Sequence, residues 1–318
     1  MSETAIQWTD VVWNPVTGCS KVSQGCAHCY AERLAPRVFA GQTETTAEPG
    51  SRVLVERPRR FTDVRTHPER LDQPLRWRKP RRVFVNSMSD LFHEDVPDDF
   101  IARVWAVMAG CPQHTFQVLT KRPERMRDWL ARCGGWEGYW THNGSAPGGF
   151  NDGPDKGIIV GYAKLDRFPD LPIGWPLPNV WLGVSVEDQR RADERIPILL
   201  DTPAAVRFLS CEPLLGRVDL RSHALCFPPA GLPTDGIHGL DWLIVGGESG
   251  PKARPMDLAW ARSLVAQCRA ADVPVFCKQM GAVWAREHGA SDRHGGLIEE
   301  FPEDLRVRDF PEVARAHS

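Results

Sequence analysis

The sequence has no apolar run approaching eighteen residues, so nothing in it is long enough to cross a membrane as a helix. Its first ten residues, MSETAIQWTD, lack the basic start and following apolar stretch of a secretory leader, which predicts a cytoplasmic chain. Excess charge is missing too. The 39 Lys and Arg against 41 Asp and Glu give a formal net charge of -2 and a pI near 6.6, and that average gives no support for nucleic-acid binding. Compositional bias is absent: 42% hydrophobic and 25% charged residues match ordinary globular domains and exclude collagen-like, low-complexity and coiled-coil classes. A chain of 318 residues with this make-up can bury a substantial core as one large domain or two small ones.

Nine cysteines are an odd number for a disulfide framework, and in a reducing compartment grouped thiols point to metal or redox chemistry. Cys111, Cys133, Cys211, Cys226, Cys268 and Cys277 are scattered singly, whereas Cys19, Cys26 and Cys29 fall within eleven residues. Charge is also unevenly spread. Arg52 to Arg82 holds eleven Arg and Lys against four Asp and Glu, a local +7 that leaves -9 on the rest of the chain. Such a basic segment on an acidic body is a candidate phosphate-tracking surface for a nucleic-acid partner.

Six short apolar runs read as strands buried on both faces: Val83–Val85, Phe116–Leu119, Val180–Val184, Val206–Leu209, Trp242–Val245 and Val275–Cys277. Val11–Trp13 is a seventh candidate. Helical patterns lie between several of them. Asp98 to Gly110 puts Phe100, Ile101, Val104, Val107 and Met108 on one face with Asp98 as cap, Pro123 opens a helix carrying Met126 and Leu130, and Asp257 to Ala271 repeats the pattern with Leu258, Ala261, Leu264, Val265 and Cys268. Strands alternating with helices imply parallel pairing through right-handed crossovers.

Each of the six runs is followed by polar, ligand-capable residues: Asn86 to Asp90, Thr120 to Arg122, Ser185 to Glu187, Ser210 to Glu212, Gly246 to Ser249, and Lys278 with Gln279. In a complete or partial β/α barrel these carboxyl ends converge on one face and build the active site. Simple polar capping of a doubly wound sheet is the competing account. The expected fold is α/β, a partial (β/α)6-type TIM barrel in one domain over 1–318, with Pro/Gly-rich insertions at about 41–82, 133–179 and 215–240.

The cluster Cys19-Ser-Lys-Val-Ser-Gln-Gly-Cys26-Ala-His-Cys29-Tyr30 sits on a loop between a strand and a helix. Three thiolates from one loop can hold three corners of an iron-sulfur cube and leave the fourth iron open. Zinc competes, but a structural zinc site needs four ligands, and the fourth would come from far away. A third account is three unligated cysteines of the core.

The segment from Thr17-Gly-Cys19 through Cys26-Ala-His-Cys29-Tyr30-Ala31 resembles the cluster loop of the radical S-adenosyl-L-methionine (SAM) superfamily, with six residues rather than three in the first gap. Ser87-Met-Ser-Asp90 and Leu119-Thr-Lys-Arg122 resemble strand ends of its spore photoproduct lyase branch. Trp13-Asn-Pro15, Cys29-Tyr-Ala31, Ser89-Asp-Leu-Phe-His93 and Val245-Gly-Gly-Glu-Ser249 resemble a bacterial and phage-associated three-Cys-motif family over most of the chain.

The resemblance implies a [4Fe-4S] cluster on Cys19, Cys26 and Cys29, with SAM chelating the open iron, cleavage of its sulfonium and hydrogen abstraction from a substrate. It further implies Tyr30 against the adenine. Ser87, Ser89 and Asp90 are then candidates for the SAM amino end, Ser185 and Glu187 for its ribose, and Lys121, Arg122 or Lys278 for a phosphate or carboxylate. Glu212 and Gly246-Gly247-Glu248 are further cofactor-binding candidates; the two glycines allow either close backbone approach to a ligand or a turn with positive φ.

Where spore photoproduct lyase carries its hydrogen-donating cysteine this chain has Ser87, whose O–H bond is too strong for that role, so Cys211 and Cys277 are the candidate donors, or else small buried hydrophobes. His28 and His93 read as surface hydrogen-bonders. The expected substrate is a nucleic-acid base undergoing DNA repair or modification, with twelve Trp as stacking platforms or core, and the expected electron donor is a flavodoxin or ferredoxin. A zinc-stabilised nucleic-acid-binding protein without catalysis is the alternative.

Overall fold

The computed structural model describes residues 4, 6–47, 54–133, 176–220 and 239–312. Its frame is a sheet of seven parallel strands: β1 (Val11–Trp13), β6 (Arg82–Val85), β7 (Thr115–Thr120), β8 (Val180–Ser185), β9 (Val206–Cys211), β10 (Trp242–Gly246) and β11 (Val275–Gln279). The strands lie side by side in chain order, with Val11 opposite Val83, Val83 opposite Phe116, Phe116 opposite Val180 and Leu209 opposite Leu243. A doubly wound sheet reverses its strand order at a switch point. This one never does, so it curls into an open half-barrel, and the seventh candidate strand takes its place at one edge.

All residues of β8, β9 and β10 are buried, as the continuous apolar runs require when both faces are covered. Side chains alternate between the faces. Val83, Val85, Val118, Leu182, Leu209 and Val245 join the core shared with the helices. Phe84, Trp181, Phe208, Trp242, Ile244 and Phe276 form a separate aromatic core on the inner face, closed by Trp8 from before β1 and Phe310 from the far end of the chain.

Four helices bridge successive strands or follow them on the outer side. Helix α2 (Asp98–Ala109) buries Phe100, Ile101, Val104, Val107 and Met108 as its spacing predicts. Its cap differs: Pro97 holds the N-cap position, and Asp98 in the first turn pairs instead with Arg125 at 2.8 Å and Arg132 at 2.5 Å. Helix α3 (Pro123–Cys133) buries Met126 and Leu130. Helix α4 (Gln189–Leu200) is capped by Asp188, which accepts from the Arg191 N–H, and α5 (Leu258–Ala270) by Asp257, which accepts from the Ala259 N–H.

The segment 41–82 takes part in two small antiparallel pairs, only one of them wholly its own. β2 (Val16–Thr17) pairs with β5 (Arg65–Thr66), and β3 (Thr43–Ala47) with β4 (Leu54–Pro58). The expected insertions at 133–179 and 215–240, together with Cys226, lie largely outside the described residues. No described helix is long and apolar enough to cross a membrane.

Candidate functional site

The three-cysteine loop leaves β2 through Gly18, whose φ of +95° and whose approach to Asp63 exclude a side chain: a Cβ there would stand 2.6 Å from the Asp63 carbonyl oxygen. The Gly18 N–H donates to the Met88 carbonyl at 3.0 Å, and the Cys19 N–H to the Phe61 carbonyl at 2.9 Å. From there the loop runs across the carboxyl ends of the strands. Beyond β7, Arg122 donates through Nη1 to Cys19 Sγ at 3.7 Å. Beyond β8, Glu187 Oε1 accepts from the Gly25 N–H at 3.3 Å. Beyond β10, Glu248 Oε2 meets His28 Nδ1 at 3.0 Å. Beyond β6, the Ser87 carbonyl accepts from the Tyr30 hydroxyl at 2.5 Å. Helix α1 (Tyr30–Val38) then begins with Cys29 in the N-cap position.

Cys19, Cys26 and Cys29 are all free and partly buried. Burial and the Asp90 carboxylate push the Cys19 thiol up to about 11, with Arg122 pulling the other way. Among the described residues no three His, Cys, Asp or Glu side chains converge as the ligands of a single ion.

The strand-end side chains are tied into pairs. Lys121 Nζ donates to Ser185 Oγ at 3.0 Å, and Lys278 Nζ to Glu212 Oε1 at 2.5 Å. Glu187 is fully buried against Arg195 at 2.9 Å; burial opposes its charge, but Arg195 and then Lys121 hold the carboxyl below its ordinary value. Glu248 is buried beneath Arg254 at 2.5 Å, and although burial works against its charge, the bonds from Arg254 and His28 keep it low as well. Arg254 Nη2 also reaches the Gln24 carbonyl at 3.1 Å, so two of the anchoring carboxylates are neutralised in place.

A family model described as "Protein of unknown function (DUF5131)" matches residues 3–304. The chain belongs to the DUF5131 family. No curated protein and no solved structure matches it.

Several sequence expectations take a different form in this DUF5131 chain. Asp90 is buried and already saturated: it accepts from Thr120 Oγ1 at 2.7 Å, the Lys121 N–H at 3.0 Å and the Phe92 N–H at 3.0 Å, so it braces the turn instead of facing a ligand. The Ser87 hydroxyl donates to Asn14 Oδ1 at 3.2 Å and the Ser89 hydroxyl to the Val16 carbonyl at 2.9 Å. Arg122 is a buried neighbour of Cys19, not a free cation. His93, expected at the surface, is buried between Ser20 Oγ at 2.8 Å and the Asp95 N–H at 3.1 Å.

Cys211 and Cys277 lie on the helix-covered face, because they alternate with Ser210 and Phe276, and they pack in the apolar core there. Burial raises both thiols, Cys277 to about 12. Of the tryptophans described, Trp8, Trp13, Trp105, Trp129, Trp181, Trp242 and Trp284 are buried in the core, and Trp77 and Trp260 are partly buried against it.

Neither Gly246 nor Gly247 adopts positive φ, and of the two it is Gly247 that the packing of the chain on itself requires. A Cβ on Gly247 would stand 2.4 Å from the Met280 carbonyl oxygen and 2.8 Å from Gly281 Cα, so the loops after β10 and β11 touch backbone to backbone. Gly247→Ala is therefore expected to cost about 1–3 kcal/mol, as overpacking does, read from denaturant midpoints; an unchanged midpoint would mean the two loops can part freely.

Part of the +7 segment is paired within the chain. Arg57 binds Asp63 through two bonds of 2.6 Å, Arg59 is buried on Thr17 and the Asp63 carbonyl, and Arg65, Arg76 and Arg82 pair with Glu44, Asp72 and Asp10. Sequence reasoning missed Arg195 and Arg254. Arg195 had a signal: it shares a helical stripe with the apolar Ala192, Ile196 and Leu199, and a charge placed there needs a buried partner.

Proposed function

We propose that this chain is a radical SAM enzyme whose Cys19, Cys26 and Cys29 hold a [4Fe-4S] cluster over the carboxyl ends of a (β/α)6-type partial TIM barrel. One observation carries the reading. A single loop bearing three free thiols is anchored to the groups beyond β6, β7, β8 and β10, the face on which β/α barrels build their active sites.

The donor set fits a cluster. Three thiolates leave one corner of a cube for the amino and carboxylate groups of SAM. Cys29 stands in the N-cap position of α1, and Cys19 has a guanidinium N–H beside its sulfur. When bound, the cluster and SAM would supply one electron and hydrogen-abstracting radical chemistry.

The chain's own residues bind, orient and shield. Glu187 and Glu248 hold the loop through Gly25 and His28, their charges met by Arg195 and Arg254. Tyr30 is fixed at its hydroxyl by Ser87 and keeps an exposed ring for a ligand to stack on. The Lys121–Ser185 and Lys278–Glu212 pairs can reorient toward a carboxylate, phosphate or ribose. Support for a nucleic-acid base as substrate comes from the spore photoproduct lyase resemblance; of the arginines of 52–82, Arg57, Arg59, Arg65, Arg76 and Arg82 are engaged within the chain. A flavodoxin or ferredoxin is the electron donor that fits such chemistry.

The test is anaerobic purification with iron, sulfide and zinc analysis, then dithionite reduction in the presence of SAM and chromatography for 5'-deoxyadenosine. Expected are about four irons per chain, release of 5'-deoxyadenosine, and loss of both in Cys26→Ala. A colourless protein with one zinc would overturn the reading in favour of a zinc-stabilised nucleic-acid-binding protein.

A further inference from the structure

We propose that Arg122 sets the reduction potential of the cluster by donating a fixed hydrogen bond to the sulfur of Cys19, and that Asp90 opposes it. This rests on the cluster reading above.

The guanidinium is one-tenth exposed or less and its hydrogen-bonding positions are occupied. Nε donates to Glu94 Oε2 at 3.1 Å, Nη2 to Ser20 Oγ at 2.8 Å and to the Ser20 carbonyl at 3.3 Å, and Nη1 to Asp90 Oδ2 at 3.4 Å. What remains of Nη1 points at Cys19 Sγ, 3.7 Å away. A neutral thiol is a weak acceptor, whereas a thiolate bound to iron is a strong one. An arginine locked on four other oxygen contacts is thus prearranged for negative charge on that sulfur.

Hydrogen bonds to cluster sulfurs and nearby positive charge favour the reduced state, which carries one more electron. Asp90 works in the opposite sense, as a buried carboxylate held 3.4 Å from the same guanidinium. Its three other bonds, to Thr120, Lys121 and Phe92, keep it from moving away. The two residues form a pair of opposed charges beside one ligand, and their removal has opposite consequences.

The measurement is a midpoint potential for the one-electron reduction, followed by electron paramagnetic resonance in a mediated dithionite titration without SAM, so that no turnover is needed. Arg122→Gln is expected to shift the midpoint to more negative values, enough that the ratio of reduced to oxidised cluster falls about tenfold at a fixed potential. Asp90→Asn is expected to shift it the other way. Opposite shifts would not come from a loop merely loosened by either substitution.

An unchanged or raised midpoint in Arg122→Gln, with four irons retained, overturns the proposal and leaves the cluster reading intact. Should Arg122→Gln fail to assemble, Asp90→Asn decides: a raised midpoint supports the pair, an unchanged one overturns it. A wild-type protein without iron removes the cluster reading and this inference with it.

Discussion

Trp242→Ala is expected to destabilise the fold by about 3–5 kcal/mol, the cost of deleting a large buried aromatic. Trp242 is completely buried on the inner face of the sheet, and its ring centroid lies 6.3 Å from Trp8, 5.8 Å from Trp181, 5.7 Å from Phe208, 6.2 Å from Phe276 and 5.3 Å from Phe310. Its indole Nε1 donates to the Asp309 carbonyl at 2.8 Å, so alanine also leaves that acceptor without its partner. Neighbours from both ends of the chain meet at this ring, and little else can fill the space. A total stability of about 5–15 kcal/mol is usual for a folded domain, so the variant should sit near the unfolding threshold. Equilibrium denaturation checks this. Phe310→Ala is the comparison: Phe310 is only partly buried and should cost less. Equal losses for both would mean that the inner core is held by the chain terminus and not by Trp242.

That inner core shows where sequence reading stops. Strands such as Val180–Ser185 and Val206–Cys211 are visible as apolar runs because burial on both faces leaves no polar alternation to hide them. The helices are visible for the matching reason, a one-sided stripe such as Phe100, Ile101 and Val104. Trp8 and Phe310 carry no local signal, since what makes both of them core is the Trp242 ring, 234 residues away from one and 68 from the other.

The same limit applies at the site. Cys19, Cys26 and Cys29 could be read from spacing within one loop. Cys211 and Cys277 required knowing which parity of β9 and β11 faces the helices, and only the folded sheet supplies it. Glycine in Gly246-Gly247 was legible as a demand for room, but the object requiring it, the Met280 carbonyl, lay beyond another strand and helix. The partners that hold the loop, Glu187 with Arg195 and Glu248 with Arg254, combine short separations in sequence with contacts to Gly25 and His28 more than 150 residues away. Charge counted along Arg52 to Arg82 leaves out its partners from elsewhere, because pairing is a property of the folded neighbourhood: Asp10 and Glu44, outside the segment, pair with Arg82 and Arg65.

The buried ion pair beneath the loop yields the second large effect. Arg195→Met is expected to cost about 3–5 kcal/mol at neutral pH, because removing one partner of a buried pair leaves the other charge uncompensated. Arg195 and Glu187 are both almost wholly buried, and Arg195 Nη1 also donates to the Ser185 carbonyl at 2.7 Å. The pH dependence distinguishes this cause from lost packing. In the wild type the folded Glu187 carboxyl lies below its ordinary 4.5, so its contribution is present above that value and fades as pH falls through the folded value. Without Arg195, burial prevails and the folded carboxyl rises above 4.5. The penalty is then full at neutral pH and shrinks as acid protonates the group in both states. The gap between variant and wild type should narrow on going from neutral pH to the ordinary carboxyl range, measured by urea denaturation at each pH. A gap that stays constant would assign the loss to packing and remove the charge argument. Since Glu187 accepts the Gly25 N–H, protonation in the variant should also free the loop, and faster amide exchange at Gly25 at acidic pH, corrected for the intrinsic rate, is the local sign that the carboxylate is what holds the cysteines over the strand ends.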